Sequence, residues 1–150
     1  MFGGENRTAD VADYGYSYLE TLPDLKSALT WAEGKGYEDI LVRGSSYSAA
    51  LVFLLAAEHP EIKGVLAFSP DQYLGEDTLV KDAAAKVNVP VFVTSASHEA
   101  GAAEDVLDAV VNEAKVQFVP KGYGEHGSSA LLSEDKEEYW RAVEAFLGHW

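Results

Sequence analysis

The chain has 150 residues, 47% of them hydrophobic and none of them cysteine, and its 25 acidic side chains against 11 basic ones leave a net charge of −14. A field of that sign repels nucleic-acid phosphate and anionic lipid, no apolar run approaches the ~20 residues of a membrane span, and disulfide and thiolate chemistry are excluded. A single domain over 1–150 that buries roughly 70% of its unfolded surface is expected, and without a basic and then apolar leader its expected location is cytoplasmic.

The first twenty residues read as a loop or arm. Tyr14, Tyr16 and Tyr18 alternate within it, as a packing edge or one wall of a pocket does. Asn6-Arg7-Thr8 matches a glycosylation acceptor, a pattern frequent by chance. A helix is expected over 22–33, where Pro23 and Asp24 suit the first turn and Gly34 and Gly36 end it. Strand 40–43 follows, then a helix over 48–58 that is apolar nearly all round, as one packed against a sheet should be; His59-Pro60 stops it. Strand 63–68 is broken by Ser69-Pro70. A short helix over 78–86, strand 91–94, a helix over 102–112, strand 116–119 and a closing helix over 136–147 complete the pass, the last with Tyr139, Trp140, Val143, Phe146 and Leu147 on one face. Such alternation implies right-handed crossovers and a parallel sheet of about four strands in a three-layer α/β/α sandwich.

The chemistry concentrates after the strands. Gly44-Ser45-Ser46-Tyr47-Ser48, between an apolar strand and a helix, is one step from G-x-S-x-G, with small residues where a strained strand-to-helix elbow around Ser46 needs them. Glu99 lies in the polar loop after strand 91–94, and His126 in the glycine-rich loop after strand 116–119. The order Ser, Glu, His is that of a nucleophile, an orienting acid and a base on a hydrolase sheet, and loops after parallel strands meet at the carboxyl edge, where open α/β sheets bind ligands. Each residue also has a plainer reading. Ser46 suits a helix N-cap, Glu99 an early-turn acid favoured by the helix dipole, and His126 a solvated loop histidine. Asp71 and Glu76 are rivals for the acid, Ser45 is a poorer nucleophile because Tyr47 would take its second small position, and His98 suits the surface. No H-E-x-x-H or other metal-binding spacing occurs, so neither metal nor cofactor is expected.

On these residues the chain resembles the α/β-hydrolase superfamily, and within it the dienelactone hydrolase-like serine esterases, from about Asp24 to Trp150. The resemblance implies Ser46 as nucleophile, the Tyr47 backbone N–H as one oxyanion donor, Glu99 as acid and His126 as base, acting on small carboxylic esters or lactones. Ser48 departs from the usual second glycine. The resemblance further implies that the amino-terminal strands of the usual sheet are missing, and with them the loop that gives the second oxyanion donor. Strand 40–43, ordinarily central, would then be an open edge. Pairing of two chains along it in a two-fold homodimer, or cover by the first eighteen residues, is the expected remedy. Two other classes stay open: a remnant that binds a ligand or partner without turnover, and a flavodoxin-like module. The latter is weakened by the lack of a phosphate-cradling glycine motif after the first strand.

Overall fold

The computed structural model describes residues 17–75, 77–148 and 150. Tyr14, Tyr16, Asn6-Arg7-Thr8 and Glu76 lie outside the described residues. Four strands, β1 (Ile40–Ser45), β2 (Ile62–Phe68), β3 (Val91–Thr94) and β4 (Lys115–Phe118), form one sheet in the order β1-β2-β3-β4, and every pair is parallel. The helices are α1 (Leu22–Gly34), α2 (Tyr47–Glu58), α3 (Leu79–Ala84), α4 (Ala100–Asp108) and α5 (Lys136–Leu147).

Because the strands are laid down in one direction, their right-handed crossovers all fall on one side. There Ala50, Phe53 and Leu54 of α2, Val80 and Ala84 of α3 and Val106 of α4 pack on Val65, Ala67, Val91 and Val93. α1 joins this layer through Leu29 against Leu55. The opposite face is covered by α5, whose Val143 and Phe146 meet Leu66, Phe68 and Phe92. The sandwich is therefore three-layered, as its alternating elements predict. Phe92 sits between Phe68 and Phe146, with ring centroids 6.2 and 5.6 Å away; such tilted pairs add about 0.5–1.5 kcal/mol each beyond burial. β3 is buried along its whole length and β2 at every residue but Lys63, as strands covered on both faces are. β1 and β4 are only partly buried, and among the described residues β1 has β2 as its one ladder partner.

Several boundaries differ from expectation. β1 runs on through Gly44 and Ser45 because both residues stay in register with Ala67 and Phe68. α4 begins at Ala100, two residues early, since a 3-10 turn over Ser97–Glu99 already feeds the helix. It stops at Asp108, where the Lys115 ammonium closes on the carbonyls of Leu107, Asp108 and Val110 at 3.3, 3.2 and 2.9 Å. α3 is trimmed to Leu79–Ala84, and a 3-10 turn over Gly127–Leu132 follows β4 where only a loop is expected.

Candidate active site

Gly44 begins the site by having no side chain. A Cβ there would fall 2.1 Å from the Ser48 carbonyl oxygen, so only glycine lets α2 start this close to β1. The chain then turns through Ser46 at φ 59° and ψ −128°. A non-glycine residue at positive φ is uncommon and costs of order 1–3 kcal/mol. Ser46 occupies the N-cap position of α2, yet its side chain makes no capping hydrogen bond, so the plain N-cap reading leaves its hydroxyl without a use. Ser48 stands where the motif usually has glycine and adds a tie of its own. Its hydroxyl donates to the Ser45 carbonyl and accepts from the Ser45 N–H, both at 2.8 Å.

Glu99 and His126, brought to this edge by the ends of β3 and β4, face each other with Oε1 and Nδ1 2.5 Å apart. The other carboxylate oxygen, Oε2, accepts from the Ser69 hydroxyl at 2.6 Å and the Ala96 N–H at 3.3 Å. Burial opposes ionisation of Glu99, but the hydrogen bonds from Ser69 and His126, the imidazole's charge and the Ala96 N–H outweigh it, and the carboxyl is held below its ordinary 4.5. An ionised carboxylate only accepts, so in the neutral imidazole the proton sits on Nδ1 and the lone pair is presented at Nε2. Among the described residues no hydrogen bond joins the Ser46 hydroxyl to His126, whose partner is Glu99. Catalytic contacts of this kind are often long in an empty site and tighten around substrate.

The turn that begins at His126 is pinned by Ser69, which follows β2, and by Ser45 and Arg43 of β1. Gly127 N–H donates to Ser69 Oγ and Ser128 N–H to Ser45 Oγ, each at 2.8 Å. Arg43, stacked over the Phe68 ring at 4.5 Å, donates to Ser128 Oγ at 2.8 Å. The turn thereby rests on the elbow: a Cβ on Gly127 would lie 2.5 Å from Ser45 Oγ and 3.7 Å from Ser46 N. Ser45 is thus engaged in holding this turn.

Tyr47 is the first residue of α2, where helix geometry leaves the N–H without an intrahelical acceptor; its ring stacks on Tyr18 with centroids 4.4 Å apart. Of the rival carboxylates, Asp71 turns back to its neighbour, accepting from Gln72 N–H at 2.7 Å. His98 is mostly exposed, with Nε2 3.9 Å from Glu99 Oε1. The sequence marks Ser69 only as the end of a strand and gives Arg43 and Ser128 no role. The one available signal was a serine directly after an apolar strand, at the level of the elbow. Among the described residues no cluster of three or more His, Asp or Glu could hold a metal ion, and no helix is long and apolar enough to cross a membrane. A cavity of about 480 Å³ opens between β4 and α5, lined by Phe118, Ala142, Phe146 and Trp150 among others; Ser46, Glu99 and His126 take no part in it.

No family model matches the chain, and no curated protein matches its sequence. Its structure is similar to solved ones. The Pyrococcus furiosus esterase Pf2001 superposes with a TM-score of 0.76 at 17% identity, over 93% of this chain and 66% of its own. A monoacylglycerol lipase of Paleococcus ferrophilus gives 0.69 at 16% identity, over 90% of this chain and 77% of its own. A dienelactone hydrolase of Anabaena variabilis gives 0.58 at 19% identity, over 75% of this chain and 50% of its own. The chain thus spans slightly less than two thirds of the length of the esterase it matches. Likeness at such identity carries the fold.

Proposed function

We propose that this chain, which has the α/β-hydrolase fold, acts as a serine-dependent hydrolase of small carboxylic esters or lactones. The observation that carries the reading is the backbone of Ser46, held at φ 59° and ψ −128° with its side chain spent on no cap. Strain at a serine whose hydroxyl makes no hydrogen bond among the described residues needs a use for that hydroxyl. The ionised Glu99 beside His126 supplies the second half of the argument, because it sets the tautomer a general base requires.

In this mechanism His126 Nε2 takes the Ser46 hydroxyl proton as the oxygen bonds to the ester carbonyl carbon. Glu99 stabilises the imidazolium, and the Tyr47 N–H donates to the developing oxyanion. The imidazolium then protonates the departing alcohol, leaving an acyl group on Ser46. Water, deprotonated by the same base, releases the acid and restores the serine. Pairing of two chains along the outer edge of β1 belongs to the proposal, motivated by β2 being the one ladder partner of β1 among the described residues; a monomeric mass at all concentrations in light scattering removes it.

The absence of a Ser46 to His126 hydrogen bond among the described residues is the observation that favours a second reading, a domain that binds a ligand without turnover. Hydrolysis of short-chain aryl esters by wild type and by Ser46→Ala, with fluorophosphonate labelling of both, separates the two. Ser46-dependent turnover and labelling support the enzyme; equal inertness in both assays leaves the binding domain.

A further inference from the structure

Ser69, at the end of β2, is 1% exposed and stands at φ 54°. Among the described residues it and Ser46 are the two non-glycine residues with positive φ, and they follow neighbouring strands of the same sheet. Glycine takes such a conformation without strain, so a serine kept there has a use for its hydroxyl.

The partners fix the direction of both its hydrogen bonds. An N–H can only donate, so Ser69 Oγ accepts from Gly127. A hydroxyl has one proton to give, and it goes to Glu99 Oε2. One buried group is thereby tied to the acid and to the residue that follows the base. With Oε2 occupied by Ser69 and Ala96, Oε1 is the oxygen left for the imidazole.

We propose that Ser69 is a positioning residue for this site: its hydroxyl fixes the rotation of the Glu99 carboxylate and anchors the His126 turn to that same carboxylate. The proposal rests on the ester hydrolase reading for its kinetic consequence, and on geometry alone for its effect on Glu99. Ser69 touches no reacting atom. Its influence passes through the orientation of the Glu99 and His126 pair, on which the tautomer and the aim of Nε2 depend.

The test compares wild type with Ser69→Gly and Ser69→Ala, in aryl-ester kinetics over the acid-to-neutral range and in carbon-13 NMR titration of the Glu99 carboxyl without substrate. Glycine removes the hydroxyl and relieves the backbone; alanine removes the hydroxyl alone and carries the test if glycine fails to fold. Expected is a fall in kcat of roughly ten- to hundredfold, on the scale seen when the hydrogen-bond partner behind a metal-ligating side chain is removed, with KM nearly unchanged. The Glu99 carboxyl should titrate at higher pH in both variants, because a donor to its ionised form is gone. A serine that merely filled space would lower thermal stability and leave the Glu99 titration unmoved. Unchanged kcat and an unmoved Glu99 titration would overturn the proposal. Turnover that survives Ser46→Ala would instead sink the ester hydrolase reading, and the NMR titration would still decide the role of Ser69.

Discussion

The carbonyl oxygen of Ser48 fills the space in which a side chain on Gly44 would begin, 2.1 Å from where its Cβ would stand. The obstacle is backbone, so no rotamer can relieve it. Gly44→Ala is expected to separate α2 from β1, at a cost of about 1–3 kcal/mol or more by the usual penalty for overpacking, and, under the hydrolase reading, to abolish ester hydrolysis. Urea unfolding and an aryl-ester assay on the same preparation check both parts.

Ser48→Gly restores the usual motif and tests whether the departure matters. The variant loses the hydroxyl's two bonds to Ser45 and gains a glycine in the first turn of α2. A stability loss of about 1–2 kcal/mol follows from a hydrogen-bond net and helix propensity, with turnover retained under the hydrolase reading. Loss of turnover in a folded Ser48→Gly would show that the hydroxyl does more than hold the elbow.

Glu99 makes stability pH-dependent with a definite sign. Its carboxyl titrates below its ordinary 4.5 in the folded protein, so the native state binds fewer protons than the unfolded chain as pH falls. The stabilisation is present above about 4.5 and is lost as pH drops through the folded value. Glu99→Gln should remove that component from the acid unfolding curve and, under the hydrolase reading, lower kcat by roughly a thousand- to ten-thousandfold through the wrong tautomer. Asp71→Asn, whose carboxylate accepts from Gln72 N–H, should leave kcat nearly unchanged under the hydrolase reading. The reverse pattern would reassign the acid.

Tyr139 provides an alkaline counterpart. Burial, the largest cause, together with the nearby carboxylates Asp135, Glu99 and Glu125, pushes its phenol up to about 12 against the opposing hydrogen bond from the Glu125 backbone. Its hydroxyl donates to the Ser95 carbonyl at 3.0 Å. An acid whose pKa is raised by folding keeps its proton while the unfolded chain loses it, so stability is intact below 10.0 and declines as pH rises towards about 12. Tyr139→Phe should flatten this decline in alkaline unfolding curves.

Gly124 tests the wall behind the His126 loop. It sits at φ 66°, and an added Cβ would fall 2.2 Å from the Tyr139 hydroxyl and 2.8 Å from Pro120. Gly124→Ala is therefore expected to destabilise by more than the 1–3 kcal/mol of overpacking alone, because backbone strain and collision add. A melting temperature equal to wild type would contradict the packing described.

The alternation of elements was legible because β2 and β3 are short, largely apolar runs bounded by Pro60, Pro70 and Pro90, and α2 and α4, which lie between strands, are each longer than any strand. Ser46, Glu99 and His126 were legible as candidates because each follows a strand of a parallel sheet, and topology brings such loops to one edge. The start of α4 was not, since the 3-10 turn over Ser97–Glu99 leaves no mark in a hydrophobic pattern. Ser69 was hidden for a different reason. Its importance lies in hydrogen bonds to Glu99 and Gly127, 30 and 58 residues away, and periodicity carries no information over that distance. The choice between Asp71 and Glu99 as partner of His126 was likewise a matter of loop conformation.

The strained backbone of Ser46, whose side chain makes no capping hydrogen bond, sets a trap for engineering. Ser46→Gly gives up no described hydrogen bond of that side chain and relieves of order 1–3 kcal/mol of strain, more than the roughly 0.4–1 kcal/mol that glycine's freedom in the unfolded chain takes back. A library selected only for heat resistance would enrich glycine at this position, and its best survivors would be catalytically dead under the hydrolase reading. Any such screen needs turnover as a second gate.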